Sequence, residues 1–208
     1  MKATAYDFAA SVDQQIDSLK SNEYLRKLGR AKILREELYP LSRLALCFKR
    51  PGTNVFVEAF ENSGHADGSI QITGFIDREF EVQITFGGYS YEDALRDELL
   101  VAQGSSPGAG EIYRDKRTKK IITTTAALDY DEHIERVSNA IVERIEDKAQ
   151  KSYPEHTVLL IAFEDCKLSG RGWWSRLFAT LETKDKTIHG FAHVYLFNGW
   201  TSEIYFYR

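Results

Sequence analysis

The amino-acid sequence predicts an α/β fold, in which helices flank a central mixed β-sheet. Apolar residues recur at helical spacing over residues 5–48 and again over residues 129–152. Apolar and polar residues alternate strictly over residues 79–86, which is the pattern of a half-buried strand. Residues 157–163 are continuously apolar, which indicates a central strand buried on both faces. Together these segments predict a sheet that is covered by helices.

The first half of the chain is predicted to be helical and then to form three strands. Pro40 lies inside the second of two helical segments, so we expect a kink or a restart of the helix there. Pro51 and Gly52 end that segment. Strands are then predicted at residues 54–60, 69–73 and 79–86.

The second half predicts alternating helices and strands. A helix over residues 91–102 and a loop rich in Gly, Ser and Pro precede a short strand pair within residues 111–125. A long helix over residues 129–152 has an apolar stripe of Ile134, Val137, Ile141 and Ile145. The apolar strand, an amphipathic segment and two closing strands follow at residues 157–163, 173–181, 191–197 and 203–207.

The chain is predicted to form one domain over residues 1–208, because it has no internal repeat and no linker-like segment. Residues 1–29 are predicted to be a helical appendage and residues 30–163 the core of the fold. Residues 164–208 then supply a C-terminal helix and a strand pair.

Composition narrows the classes of function. The net charge is −4, so any binding of nucleic acid must depend on a local basic patch. The two cysteines, Cys47 and Cys166, are isolated, and we expect buried thiols in a reducing compartment. The N-terminal residues lack the pattern of a signal peptide, and no apolar run is long enough to span a membrane. We therefore expect a cytoplasmic protein that does not bind membranes.

One face of the strand pair that follows residue 66 is polar. Its odd-numbered residues are mostly polar, and its even-numbered residues are mostly apolar. A three-residue turn centred on Gly74 places Asp67 opposite Glu81, whereas a turn at residues 75–77 moves Asp67 toward Thr85. In the first register the Cβ atoms of the two acids lie about 5 Å apart, and a divalent cation is the usual group that relieves the repulsion between such close carboxylates. The alternative is that this face is the solvated side of an antiparallel sheet.

The order of elements resembles that of the PD-(D/E)XK nuclease superfamily, which has the restriction-endonuclease-like fold. The resemblance covers residues 30–163: a helix, a strand, a second strand that begins near Asp67, a third that carries Glu81-Val82-Gln83, then a helix and an apolar strand. It implies Mg²⁺- or Mn²⁺-dependent hydrolysis of phosphodiester bonds in nucleic acid. Asp67, Glu81 and the carbonyl of Val82 would bind the ion, and Gln83 would orient the attacking water.

The resemblance also implies an auxiliary acid from the first core helix, and Glu37 fits best because it shares a helical face with Leu34 and Leu41. The chain departs from the family motif at two positions: Ala66 replaces a proline, and Gln83 replaces a lysine. Glutamine has no positive charge, so His65 or a Lys or Arg from elsewhere would have to supply it. The alternative function is that of a nuclease-fold protein that has lost its chemistry and binds protein or nucleic acid.

A basic segment and several aromatic residues are further candidates for binding. The basic segment is the natural contact for phosphates, although a solubilising hairpin loop is the alternative interpretation. It contains Arg114, Lys116, Arg117, Lys119 and Lys120. Trp173, Trp174 and Trp200 are predicted to pack in the core or on edge strands, with base stacking as the alternative. His133, His189 and His193 are interpreted as structural, and the apolar closing strands also favour a homodimer.

Overall fold

The structure is a computed structural model that describes residues 2–60, 66–88, 90–108, 110–124, 126–127, 129–168, 171–185 and 190–208. His65 and His189 lie outside the described residues. Among the helices that are described, none combines the length and the apolar character needed to cross a membrane.

The chain begins with a short edge strand of the main sheet and a series of helical segments. A two-residue strand, β1 (Ala3–Thr4), leads into α1 (Ala5–Asp17), and the Thr4 hydroxyl caps α1 by accepting the N–H of Asp7 at 3.2 Å. Next come α2 (Ser21–Leu25), α3 (Arg30–Ile33), a π-helical turn (Leu34–Leu38) and α4 (Tyr39–Cys47). Pro40 lies in the first turn of α4, directly after the π-helical turn. The helix type changes there, as a kink or restart at Pro40 predicts, but Leu38 and Tyr39 keep helical backbone angles, so the helical segment is not interrupted.

The remaining elements follow the predicted order. The strands are β2 (Thr53–Ala59), β3 (Gly68–Gly74), β4 (Arg78–Phe86), β5 (Ile112–Arg114), β6 (Ile121–Thr123), β7 (Val158–Phe163), β8 (His193–Asn198) and β9 (Glu203–Phe206). The helices are α5 (Ser90–Gln103), α6 (Tyr130–Ala149) and α7 (Arg171–Lys184). The predicted element types are confirmed, with boundaries that differ by a few residues.

Seven strands form one mixed sheet in the order β1-β2-β3-β4-β7-β8-β9. β4, β7 and β8 run parallel to one another, and the other neighbours are antiparallel. β7 lies near the middle and all six of its residues are buried, as its apolar sequence predicts. The fold class is therefore an α/β fold with a mixed sheet flanked by helices.

Each face of the sheet packs on different helices. On one face, Leu41 and Leu44 of α4 join the cluster that contains Ile70, Val82 and Leu160. On the other face, α6 and α7 cover β7 and β8, and the predicted stripe of α6 is buried there. This second cluster takes its sheet residues from β7, β8 and β9 and none from β3 or β4.

The expectation of buried thiols is wrong, because Cys47 and Cys166 are both exposed. Cys47 is the last residue of α4, and Cys166 lies in the loop after β7, so neither is part of a packed face. The two thiols are free.

Candidate functional site

The β3–β4 register differs from both predicted registers. Ser69 pairs with Glu81 and Gly68 with Val82, which is the last regular pair of this ladder. The N–H of Asp67 donates to the carbonyl of Val82 at 2.9 Å, so the regular pairing breaks at Asp67, whose side chain meets that of Gln83 just beyond it. The predicted placement of Asp67 opposite Glu81 is therefore wrong, and so is the alternative placement toward Thr85.

The turn between β3 and β4 explains the register. Gly74 has a φ of +124°, and its N–H donates to the carboxylate of Asp77 at 3.1 Å, which closes the turn over Phe75 and Ile76. Phe75 is 85% exposed and Ile76 is 54% exposed. Ile76 therefore lies at the tip of the hairpin and not opposite Ile72, where a turn centred on Gly74 would place it.

Asp67 is held in place by donors from β4. Its Oδ2 accepts the backbone N–H of Ile84 at 2.6 Å and the side-chain N–H of Gln83 at 2.5 Å. Gln83 is buried and also donates to the carbonyl of Ile84 at 3.0 Å, so its amide orientation satisfies two acceptors. The carboxylate thus extends the β3–β4 ladder by one hydrogen bond beyond the last backbone pair.

Lys148 supplies a positive charge near Asp67. Burial raises the pKa of Asp67, while the N–H of Ile84, the charge of Lys148 and the amide of Gln83 oppose that rise. Burial lowers the pKa of Lys148, and the carboxylate of Asp67 opposes that change. Lys148 lies in the last turn of α6. Gln83 brings no charge to the Asp67–Gln83 pair, and the nearby positive charge comes from Lys148 of α6.

Sequence reasoning missed Lys148 as a named residue, although a signal for it exists. It lies seven residues after Ile141 and three after Ile145, and both isoleucines are fully buried on the core face of α6. Side chains three, four and seven apart share one face of a helix. A lysine that continues a buried stripe at the end of a helix is therefore a candidate for a buried ion pair.

Glu37 approaches the same carboxylate from the π-helical turn. Burial raises the pKa of Glu37, and the negative charges of Asp67 and Glu36 raise it further. Glu36 itself pairs with Lys27 at 2.8 Å. In the π-helical turn, Glu36 therefore pairs with Lys27, whereas Glu37 lies close enough to Asp67 for the two charges to repel.

Glu81 lies on the same face, one ladder position away from the Asp67–Gln83 pair. Its Oε2 is buried, and it has no hydrogen-bond partner in the part of the chain that the structure describes. Side chains at such diagonal positions have Cβ atoms roughly 7–8 Å apart, a distance that one ion can bridge between two carboxylates. The carbonyl of Val82 already accepts the N–H of Asp67, which leaves only its second lone pair.

The carboxylate oxygens of Asp67 and Glu81 can be compared with the ligands that Mg²⁺ requires. Within the described residues there is no group of three or more His, Cys, Asp and Glu side chains that could hold a metal ion. Mg²⁺ commonly uses only one or two carboxylates and keeps several waters. The unpartnered oxygen of Glu81 and the neighbouring carboxylate of Asp67 therefore fit a hydrated Mg²⁺, but not an ion that is coordinated wholly by protein.

The basic segment forms a separate hairpin. β5 and β6 pair only with each other, and Ile112 packs on Leu95 and Leu99 of α5. Arg114 donates to Glu98 at 2.5 Å and to the carbonyl of Lys119 at 3.0 Å, so it serves the hairpin itself. The remaining basic side chains of this segment are exposed: Lys116, Arg117, Lys119 and Lys120.

A second polar cluster lies at the carboxyl ends of β4 and β7, and sequence reasoning missed it. Arg35 of the π-helical turn donates to Glu164 at 2.6 Å and pairs with Asp97 at 3.5 Å. The ring of His133 contacts the carboxylate of Asp165 at 2.5 Å, and both side chains are buried. The two members of each pair lie 32 or more residues apart in sequence, so no local spacing of residues predicts that they meet.

Comparisons with known proteins give no family for this chain. No family model matches it, no curated protein resembles it, and no solved structure resembles it. The resemblance to PD-(D/E)XK nucleases therefore stays a prediction, and the geometry around Asp67 is the basis for the function proposed below.

Proposed function

We propose that this chain is a divergent nuclease-fold protein that hydrolyses phosphodiester bonds in nucleic acid at the cluster around Asp67. The supporting observation is the arrangement at Asp67: its carboxylate accepts the side-chain N–H of Gln83 at 2.5 Å, and the charge of Lys148 opposes the rise of its pKa that burial causes. The family that the sequence resembles uses a lysine where this chain has Gln83. Lys148 supplies the missing positive charge from α6, next to the same carboxylate.

Each residue of the cluster has a proposed role. Asp67 and Glu81 would hold Mg²⁺, which lowers the pKa of a bound water and offsets charge on the phosphate. Gln83 fixes the orientation of the Asp67 carboxylate through their 2.5 Å hydrogen bond. The ammonium of Lys148 stabilises the negative charge that develops on the phosphate. Burial and the charge of Asp67 raise the pKa of Glu37, so Glu37 is suited to act as the auxiliary acid.

Binding of Mg²⁺ or Mn²⁺ and cleavage of labelled single-stranded DNA, duplex DNA and RNA test this proposal. The wild-type chain is expected to bind the ion, measured by calorimetry, and to cleave at least one substrate. Asp67→Asn and Glu81→Gln are expected to lose both properties. Glu79→Gln is the matched control, because Glu79 lies on the same strand and is exposed. If the wild type binds no divalent ion, or if Asp67→Asn cleaves as fast as the wild type, the proposal is wrong.

One observation favours a second candidate, a nuclease-fold protein that binds nucleic acid or protein without cleaving it. Oδ2 of Asp67 is already hydrogen bonded to two protein N–H groups, as expected of a carboxylate with a structural role. This candidate predicts that the wild type binds nucleic acid with no cleavage at any concentration of Mg²⁺ or Mn²⁺. It also predicts that Glu81→Gln binds nucleic acid as tightly as the wild type.

A further inference from the structure

Trp200 differs from the other two tryptophans in its surroundings. Trp174 is 2% exposed within the core beneath α7, and Trp173 stacks on Tyr130 with ring centres 4.6 Å apart. Trp200 lies in the turn between β8 and β9 and is 69% exposed. The predicted packing role therefore holds for Trp173 and Trp174, whereas Trp200 presents a large aromatic surface to solvent.

A buried polar network fixes the backbone that carries Trp200. The N–H of Trp200 donates to the side-chain oxygen of Asn198 at 3.1 Å. Asn198 is fully buried, and the same oxygen accepts the N–H of Asp165 at 3.0 Å, while its amide donates to the carbonyls of Asp165 and Leu168. An aromatic ring on a rigid turn loses little conformational entropy when a ligand stacks on it.

Trp200 borders the cleft at the carboxyl ends of β4 and β7. In open sheets of this kind, ligands commonly bind beyond the carboxyl ends of parallel strands. Five basic side chains line the cleft: Lys27, Arg35, Arg96, Arg136 and Lys167. Four carboxylates line it: Asp93, Asp97, Glu164 and Asp165. The cleft therefore has one more positive than negative side chain, although the whole chain has a net charge of −4.

Two of the basic residues are best placed to contact a ligand. Arg35 is bound to Glu164 and to two backbone carbonyls, and Arg96 is bound to the carbonyls of Pro107 and Gly110. Arg136, which pairs with Glu92 at 3.5 Å, has a side chain that is 41% exposed at the cleft. The ammonium of Lys167 donates to the carbonyl of Gly108 at 2.5 Å and so keeps its positive charge at the edge of the cleft.

We infer that this cleft binds single-stranded nucleic acid, with an unpaired base stacked on Trp200 and a phosphate next to Arg136 and Lys167. The inference rests on the proposed function, because it describes how the substrate is held. An indole face takes an unpaired base, whereas the bases of a duplex remain stacked on each other. This assigns the contact with nucleic acid to the cleft and not to the basic hairpin at β5 and β6.

The π-helical turn connects the cleft with the cluster around Asp67. Arg35 of this turn lines the cleft, and Glu37, two residues later, is in electrostatic contact with Asp67. On β4, Gln83 precedes Phe86 of the cleft by three residues, which is about 10 Å along a strand. A strand of nucleic acid in the cleft therefore lies within a few nucleotides of Asp67.

Binding of a fluorescein-labelled twelve-nucleotide oligo-dT, measured by anisotropy in EDTA, tests the inference without cleavage. Trp200→Ala is expected to weaken binding roughly five- to one-hundred-fold, which is the usual effect of losing one base–aromatic stack. Trp200→Phe is expected to retain most of the affinity. Tyr6→Ala, which removes an equally exposed aromatic side chain from α1, is the matched control and is expected to bind like the wild type.

Charge variants extend the test. Arg136→Gln and Lys167→Gln are expected to weaken binding and to reduce its salt dependence, because each removes about one phosphate contact. Arg50→Gln makes the same change of charge at an exposed residue outside the cleft, and it is expected to bind like the wild type. A fourfold Gln variant of the exposed basic residues of the β5–β6 hairpin is expected to retain the stacking-dependent part of the affinity.

The outcomes separate this inference from the proposed function. If the wild type binds oligo-dT through Trp200 but cleaves none of the DNA and RNA substrates, the cleft is supported and the catalytic proposal is wrong. If the wild type cleaves nucleic acid and Trp200→Ala binds as tightly as the wild type, only the cleft assignment is wrong. The cleft assignment is also overturned if the wild type binds no oligo-dT or binds duplex DNA more tightly than single strands. Loss of all binding in the fourfold variant of the β5–β6 hairpin would overturn it as well.

Discussion

Gln83 donates its side-chain N–H to the carboxylate of Asp67 across the β3–β4 pair at 2.5 Å. The two side chains meet just beyond the last regular pair of the ladder, Gly68 with Val82. A neutral amide can hold and orient a carboxylate, but it does not offset the charge of that carboxylate. The charge is offset by Lys148 from α6, so the orienting and charge-balancing roles are divided between two elements.

Lys148→Gln is therefore expected to raise the pKa of Asp67, because it removes the largest opposing charge near that buried carboxylate. If the proposed function is correct, cleavage should fall roughly 10²–10³-fold, the usual cost of removing one electrostatic contact to the transition state. Lys151→Gln is the matched control, since Lys151 is exposed just beyond the end of the same helix. NMR titration of the Asp67 carboxyl carbon checks the first effect, and an unchanged pKa in Lys148→Gln contradicts it.

Gln83→Lys in the Lys148→Gln background is expected to restore much of the lost activity. The new ammonium would lie directly across from Asp67, where the structure now has the amide of Gln83. It should also lower the pKa of Asp67 relative to the Lys148→Gln parent, because an adjacent positive charge favours the carboxylate. Gln83→Met in the same background is the control of similar size, and it should restore neither property. Equal activity of the two double variants would show that charge at this position does not matter.

The raised pKa of Asp67 should make stability depend on pH. Because burial raises this pKa in the folded state, the folded chain holds the proton more tightly than the unfolded chain does. The corresponding stabilisation is complete below the unfolded pKa, near 3.8, and is lost as pH rises through the higher folded value. Asparagine does not titrate in this range, so Asp67→Asn has no such pH-dependent stabilisation to lose. Urea unfolding from pH 3.5 to 7 should therefore show the variant gaining stability relative to the wild type, and a difference that stays constant with pH contradicts this expectation.

The contrast between β4 and the Asp67–Gln83 pair shows what the sequence could and could not predict. Strict alternation located β4, and a continuous apolar run located β7, because burial on one or both faces is written directly in the order of residue types. The register depended on the turn, where Asp77 binds the N–H of Gly74 and Gly74 adopts a positive φ. Neither feature has a periodic signal, and a shift of two residues keeps every side chain on its face.

The same limit applies to pairs that tertiary structure assembles. Lys148 of α6 and Asp67, just before β3, lie far apart in sequence, so no local spacing joins them. His133 and Asp165 are 32 residues apart and meet because α6 begins beside the carboxyl end of β7. The sequence did identify Glu37 as a candidate, because its helical face could be read from Leu34 and Leu41.

Breaking the His133–Asp165 pair is expected to be costly. Both side chains are buried, and the partner left behind by Asp165→Ala would be an uncompensated polar group in the core. Loss of one member of a buried pair typically costs about 3–5 kcal/mol of unfolding free energy. Asp147→Ala removes an exposed partner of Arg144 and should cost at most about 1 kcal/mol. Similar losses in the two variants, measured by urea unfolding, would contradict a structural role for the buried pair.

This pair should also respond to acid in the opposite sense to Asp67. Burial raises the pKa of Asp165, but the hydrogen bond and charge of His133, together with the N–H and charge of Lys167, hold it below its ordinary value. The stabilisation is therefore present above the unfolded pKa, near 3.8, and is lost as pH falls through the lower folded value. His133→Ala should remove it, so the variant should lose less stability than the wild type below pH 4. A wild-type and a variant curve that run parallel in that range would contradict the assignment.

Gly74→Ala tests whether the turn sets the register of the site. A Cβ at Gly74 would lie 2.2 Å from the carbonyl oxygen of Gly52, and the φ of +124° is one that alanine rarely adopts. The variant should lose at least about 1–3 kcal/mol of unfolding free energy, since both the clash and the backbone conformation are unfavourable. Gly172→Ala in α7 is the matched control: no atom lies within 4 Å of the added Cβ, and its stability should be unchanged or higher.

The decisive measurement on Gly74→Ala is the alignment of Asp67 with Gln83 in the variant that still folds. Alanine disfavours the φ of Gly74, so the variant should adopt another turn conformation. If the turn sets the register, that change should shift β4 relative to β3 and break the 2.5 Å bond between these side chains. NMR should then show a shifted Gln83 side-chain amide and an altered pKa of Asp67, while Gly172→Ala leaves both as in the wild type. A destabilised Gly74→Ala with an unshifted Gln83 amide would mean that packing of the sheet, and not the turn, fixes the register.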